Sequence, residues 1–114
     1  MLIAYTDGSG TVATKAAGAG VVLYDGETVV LESSRHLGLG TNQRAELAAI
    51  GLAFALTDTP DWRGRELLIR SDSEYAMNVL TGVYGFFARM AHYDLIVTIR
   101  RRFMQGRAFR FEHV

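Results

Sequence analysis

The sequence contains no cysteine. That excludes disulfides, thiolate metal sites and cysteine nucleophiles together. It has no membrane-length apolar run: the longest, Leu47 to Leu56, is ten residues, where a bilayer span takes roughly 20. No signal peptide is expected in its opening segment, because Met1-Leu2-Ile3-Ala4-Tyr5-Thr6-Asp7 has no basic flank and is too short for one. A cytosolic or organellar protein is the default expectation, with the cytoplasm the compartment assigned. Internal repeats and low-complexity segments are missing. Gly8-Ser9-Gly10 and Gly18-Ala19-Gly20 do not continue into G-x-G-x-x-G, and a strand pattern follows each instead of a helix. There is no Walker A sequence and no recognisable Ser-His-acid hydrolase pattern. Net charge is zero and lysine is nearly absent, with eleven of twelve bases being arginine.

The 114 residues, 49% hydrophobic and 21% charged, fit one folded domain with a core of its own. The zero net charge conceals an asymmetry. Residues 1–85 hold six bases and ten acids, hence −4; residues 86–114 hold six bases and two acids, hence +4. An arginine-rich final third suits either a phosphate-facing surface or a solvated helix face.

Apolar patterning predicts strands at Met1–Thr6, Gly18–Tyr24 and Thr28–Ser33, with Asp25-Gly26 as a hairpin turn between the second and third. Asp7-Gly8-Ser9-Gly10 reads as the turn that ends the first. Thr41 can cap a helix to about Leu56 whose body is apolar on nearly every face, so it is buried on several sides. Glu66–Arg70 reads as a buried strand. Ser71 and Glu74 fit a capping box for a helix ending near Thr81, with Gly82 just beyond. A further helix fits Tyr93–Gln105, with Ile96, Ile99 and Phe103 on one side, and Ala108–Val114 reads as a last strand. The order is βββαβααβ or βββαβαβ, an α/β fold around a mixed sheet.

Three acids stand out by placement. Asp7 lies at the end of the first strand, Asp72 at the end of the fourth, and Glu46 is the sole acid from Asn42 to Thr57 in an apolar helix. A buried carboxylate is costly unless paired or bound to metal. Each acid alone has a plain structural reading: an Asp-Gly turn, a helix cap, an arginine partner. Parallel neighbouring strands 1 and 4 would put Asp7 and Asp72 at one end of the sheet, where α/β folds gather ligands. The helix packed across them could add Glu46. Three oxygen ligands without cysteine or histidine suit Mg²⁺ or Mn²⁺ better than zinc.

The runs Tyr5-Thr6-Asp7-Gly8-Ser9, Thr41-Asn42-Gln43-Arg44-Ala45-Glu46-Leu47 and Ser71-Asp72-Ser73-Glu74-Tyr75 closely resemble ribonuclease H of type 1. That family shows a TDGS segment, a TNNxxEL helix start and an SDSxY strand end, in this order along the whole chain. The resemblance implies a five-stranded sheet in order 3-2-1-4-5. It implies hydrolysis of the RNA strand of RNA–DNA hybrids with two Mg²⁺ ions, Mn²⁺ substituting. By position Asp7 bridges both ions, and Glu46 and Asp72 each hold one. Gly8, Ser9, Thr41, Asn42, Gln43, Ser73 and Glu74 match positions lining the hybrid's minor groove or the scissile phosphate. The alternative is a non-catalytic module of the same fold that binds nucleic acid or protein.

The sequence also departs from the family. There, the strand matching Phe111-Glu112-His113-Val114 leads into a basic-Gly-His-x-Gly loop and a helix bearing a fourth carboxylate, whereas this chain ends at Val114. The expected domain is therefore 1–114, C-terminally short, with a homodimer or a completing partner chain as possible associates. Asp94 and Glu74 are the next acids to test as completing ligands. His113 is expected at a strand end, and His36 and His92 at the surface or in loops. The family's basic, tryptophan-rich protrusion is also absent: Val83 to Tyr93 is short, aromatic and carries only Arg89. Hybrid binding is then expected to be weaker, or to rest on the arginines of residues 100–110.

Overall fold

The structure, a computed structural model, describes residues 1–10, 16–83 and 91–114. The segment read above as a shortened protrusion falls largely on residues 84–90, outside the described residues. Strands β1 (Leu2–Gly10), β2 (Ala16–Asp25) and β3 (Thr28–Leu39) form an antiparallel meander. Gly26, at φ 63°, makes the hairpin turn, the backbone form that Asp-Gly favours. Helix α1 (Asn42–Leu56) carries the chain to β4 (Leu67–Ser71), which runs parallel to β1. Helices α2 (Glu74–Thr81) and α3 (Tyr93–Thr98) then lead to β5 (Phe109–His113), parallel to β4. The sheet order is β3-β2-β1-β4-β5, as the resemblance implied.

Alternation along β1 sends Leu2, Ala4, Thr6 and Gly8 toward the helices and Ile3, Tyr5, Asp7 and Ser9 the other way. Leu2 and Ala4 of the first set join Val21 and Leu23 of β2 and Leu67 and Ile69 of β4 in one core. Leu47, Ile50, Ala53 and Phe54 of α1 fill its centre, and Phe54 meets Phe109 and Phe111 edge-on at 5.5 and 6.4 Å. Among the described residues no helix is long and apolar enough to cross a membrane.

Three local expectations are corrected. Asp7-Gly8-Ser9-Gly10 is not a turn: it continues β1, because β2 begins early enough to pair Asp7 with Gly20 and Gly10 with Ala17. The cap of α2 is Ser73, whose hydroxyl accepts the Ala76 N–H at 3.1 Å. Ser71 instead ends β4 in the core and accepts the Ser73 N–H at 3.0 Å, a local turn that carries Asp72 out to the surface. The expected helix Tyr93–Gln105 is α-helical only to Thr98 and continues as wider π-helical turns over Ile99–Met104. There Phe103 and Met104 both pack against the core while Arg101 and Arg102 stay exposed.

Candidate active site

Hydrogen-bonded parallel pairing of β1 with β4 stops at Tyr5 and Arg70. Asp7 and Asp72 each lie two residues further, just past the end of that ladder. So Asp7, though inside β1, stands at the carboxyl end of the parallel pair, where the sequence argument required it. Glu46 arrives from α1 because two glycines let the helix sit on β1. A Cβ on Gly8 would overlap the backbone of Ala45 and Glu46, and one on Gly10 would lie 3.0 Å from Asn42 N. No other side chain fits at Gly8 while α1 keeps this depth.

The result is a cluster in which Asp7, Glu46 and Asp72 each offer a carboxylate oxygen, all within 4.8 Å of one another. Asp7 and Asp72 are exposed; Glu46 is 5% exposed. The plain structural readings of the three acids do not hold. Asp7 is in no turn, Asp72 caps no helix, and among the described residues Glu46 has no arginine partner. Its Oε2 is buried without a hydrogen-bond partner. Burial raises the Glu46 carboxyl to a pKa of about 7; Asp72 and Asp7 add to the rise, and the Gly8 N–H opposes it. An orphaned carboxylate oxygen beside two further carboxylates is what a hard divalent cation would satisfy, so the residues fit such an ion. Asp7 and Asp72 line a groove of about 670 Å³ bordered by Tyr5, Glu32 and Arg70.

The other expected site residues flank this cluster. Ser9 follows Asp7 on the same exposed face of β1, while Gly8 is buried beneath α1. Thr41 caps α1, accepting the Arg44 N–H at 3.2 Å, and Asn42 and Gln43 are exposed in its first turn. Ser73 and Glu74 begin α2 immediately after Asp72. Glu74 and Asp94 do not join the cluster. Asp94 is held by Arg44, whose guanidinium lowers its carboxyl to a pKa of about 2. His113 ends β5 and donates from Nε2 to the Asp72 carbonyl at 3.1 Å. His36 is exposed and His92 half-buried.

Two of the arginines of residues 100–110 lie away from the acids. Arg107 donates to the carbonyls of Thr57 and Trp62, and Arg110 to Glu66, where β4 and β5 begin, at the other end of the sheet. Sequence reasoning missed the pairing of Arg44 with Asp94 and the approach of His92 to Thr41. With about fifty residues between partners, no spacing could have signalled either contact.

A five-stranded mixed sheet in this order, with Asp7 and Asp72 just past the β1–β4 ladder and Glu46 of α1 converging on them, defines the ribonuclease H-like class of folds. The sequence model of the RNase H family matches residues 1–113. The chain belongs to the RNase H family and is a ribonuclease H-type enzyme. It resembles LC11-RNase H1, isolated from compost by a metagenomic approach and solved in complex with an RNA/DNA hybrid, with TM-score 0.82 and 27% identity over 100% of this chain and 85% of that one. It also resembles RNase H1 from the halophilic archaeon Halobacterium salinarum NRC-1, with TM-score 0.81 and 26% identity over 99% of this chain and 84% of that one. The N-terminal RNase H domain of rv2228c from Mycobacterium tuberculosis shares the fold, with TM-score 0.82 and 23% identity over 99% of this chain and 86% of that one. No curated protein sequence matches the chain.

Proposed function

We propose that this chain hydrolyses the RNA strand of RNA–DNA hybrids as a divalent-cation-dependent endonuclease. The observation that carries the reading is the convergence of Asp7, Glu46 and Asp72 within 4.8 Å, with Glu46 Oε2 buried and unpaired. These three acids would hold Mg²⁺, two ions in all, and Mn²⁺ would substitute. Such ions supply a lowered water pKa and neutralise charge on the phosphate and the leaving oxygen. The chain's own part is to bury the Glu46 carboxyl, which raises its pKa to about 7, and to hold it beside Asp7 and Asp72.

Recognition of the substrate falls to the exposed groups around the cluster. Asn42 and Gln43 can read 2′-hydroxyls in the wide minor groove of the hybrid, with Thr41 fixing their turn. Ser9, Ser73 and Glu74 border the scissile phosphate, and Gly8 contributes through its backbone. A homodimer or a completing partner chain is proposed on the ground that β5 is an edge strand and that Tyr5 and Val114 are exposed apolar residues. A concentration-independent monomer in light scattering would rule the homodimer out.

The test is cleavage of a hybrid labelled on its RNA strand, with Mg²⁺ and with EDTA. Cutting of the RNA strand alone, dependent on Mg²⁺ and lost in Asp7→Asn, is the expected result. Full retention of cutting by Asp7→Asn would refute the assignment of the acids.

A further inference from the structure

Two contacts outside the acidic cluster tie the first turn of α1 to the start of α3. Arg44 donates through both Nη atoms to the two carboxylate oxygens of Asp94, at 3.1 and 2.9 Å. Thr41 Oγ1, the cap of α1, lies 3.4 Å from His92 Nε2. Asp94 sits in the first turn of α3 and His92 at its N-cap position.

His92 is unusual in its backbone. Among the described residues it is the one non-glycine with positive φ, at 61°. That left-handed region is disfavoured for residues with a Cβ, least so for Asn, Asp and His. Its side chain makes no capping bond to α3; the ring reaches Thr41 instead. Backbone strain of this kind persists where surrounding structure holds a functional geometry. Arg44 and Asp94 are both substantially exposed to solvent, and an exposed ion pair adds little to folding. Fold stability therefore accounts poorly for either contact. What they do share is their target, the turn bearing Thr41, Asn42 and Gln43.

We propose that Arg44, Asp94 and His92 are positioning residues that fix the Thr41-Asn42-Gln43 turn and thereby set the preference for RNA–DNA hybrid over DNA duplex. This rests on the ribonuclease H reading above. Hydrogen bonds to 2′-hydroxyls weaken steeply with distance and angle. Attraction to phosphates is long-ranged and indifferent to sugar type. Loosening the turn therefore costs selectivity before it costs general nucleic-acid binding, which a merely structural role would not do.

The experiment is fluorescence anisotropy of a labelled RNA–DNA hybrid and of the DNA duplex of the same sequence, at fixed salt with EDTA present so that nothing is cut. Asp94→Ala should weaken hybrid binding about tenfold, the worth of one or two lost hydrogen bonds, and leave duplex binding within about twofold. Arg44→Ala should match it, and the double variant should be no worse than either. The swapped pair, Arg44→Asp with Asp94→Arg, should restore most of the hybrid preference, which also guards against a single variant that folds poorly. His92→Asn accepts the left-handed backbone but is too short to reach Thr41, and should lose part of the preference. Hybrid and duplex affinities falling together in Asp94→Ala, or neither changing, would overturn the proposal. A wild-type chain with no hybrid preference would instead sink the ribonuclease H reading and this proposal with it.

Discussion

The backbone at Glu46 rests directly on Gly8, so that α1 and β1 touch there with no side chain between them. This contact places the buried carboxylate beside the two exposed ones. It also makes the depth of α1 on the sheet a property of the site. Gly8→Ala cannot be absorbed by a rotamer change, because the Cβ would meet the backbone of Ala45 and Glu46. The helix must lift. Overpacking of this kind costs roughly 1–3 kcal/mol, readable as a lower urea midpoint. Cleavage should fall by more than the loss of folded protein explains, because Glu46 moves away from Asp7. A Gly8→Ala variant with wild-type stability and cleavage would contradict the assigned role.

Much of this arrangement was legible in the sequence. The three acids could be named from their placement at strand ends and in an apolar helix. The strands other than β1 began and ended within a few residues of their apolar runs, apart from β3, which extends to Leu39. The misreadings had a common physical source. Asp7-Gly8-Ser9-Gly10 has the composition of a turn, and only its pairing with residues 17–20 of β2 keeps it extended. Ser71 and Ser73 are equally good caps as residues; burial of Ser71 at the end of β4 decides between them. The π-helical stretch from Ile99 follows from packing of Phe103 and Met104, which periodicity cannot foresee.

Arg107 offers a way to separate structural arginines from substrate contacts. Its Nη atoms donate to the Thr57 and Trp62 carbonyls, both at 3.2 Å, tying the segment before β5 to the end of α1 and the loop after it. Removing the guanidinium leaves the buried Thr57 carbonyl short of a donor, at a cost of about 1–3 kcal/mol. Arg107→Ala should therefore melt earlier than wild type. Its affinity for hybrid, measured well below the melting range, should be unchanged. A selective loss of affinity without a loss of stability would place Arg107 on the substrate path.

Millimolar Mg²⁺ or Mn²⁺ should raise the melting temperature by several degrees. The three acids converge only in the folded chain, so a cation that binds them stabilises that state by mass action. Asp7→Asn should remove the shift, and Arg107→Ala should keep it. The readout is thermal unfolding followed by circular dichroism, titrated with each cation. A shift of full size in Asp7→Asn would show that the cation binds elsewhere.

Glu46 should give the apo protein a pH dependence opposite to that of an acid in a salt bridge. Its carboxyl titrates at about 7 in the folded chain, against an ordinary value of 4.5. Below about pH 4.5 both folded and unfolded chains hold the proton, and this group contributes no difference. Between about 4.5 and 7 the unfolded chain has lost the proton and the folded chain has not. Stability therefore falls as pH rises through that window and is flat, for this group, above it. The full penalty is on the order of 3 kcal/mol for a shift of this size. Glu46→Gln carries no charge at any pH, so in EDTA it should be more stable than wild type at pH 8 and equal to it near pH 4. A divalent cation competes with the proton for the same oxygens, so saturating Mg²⁺ should flatten the wild-type profile and leave that of Glu46→Gln unchanged. Urea unfolding midpoints between pH 4 and 8.5, with and without Mg²⁺, measure all of this. Parallel profiles for wild type and Glu46→Gln in EDTA would mean that Glu46 ionises at its ordinary value, and that its burial among the acids is not what poises the site.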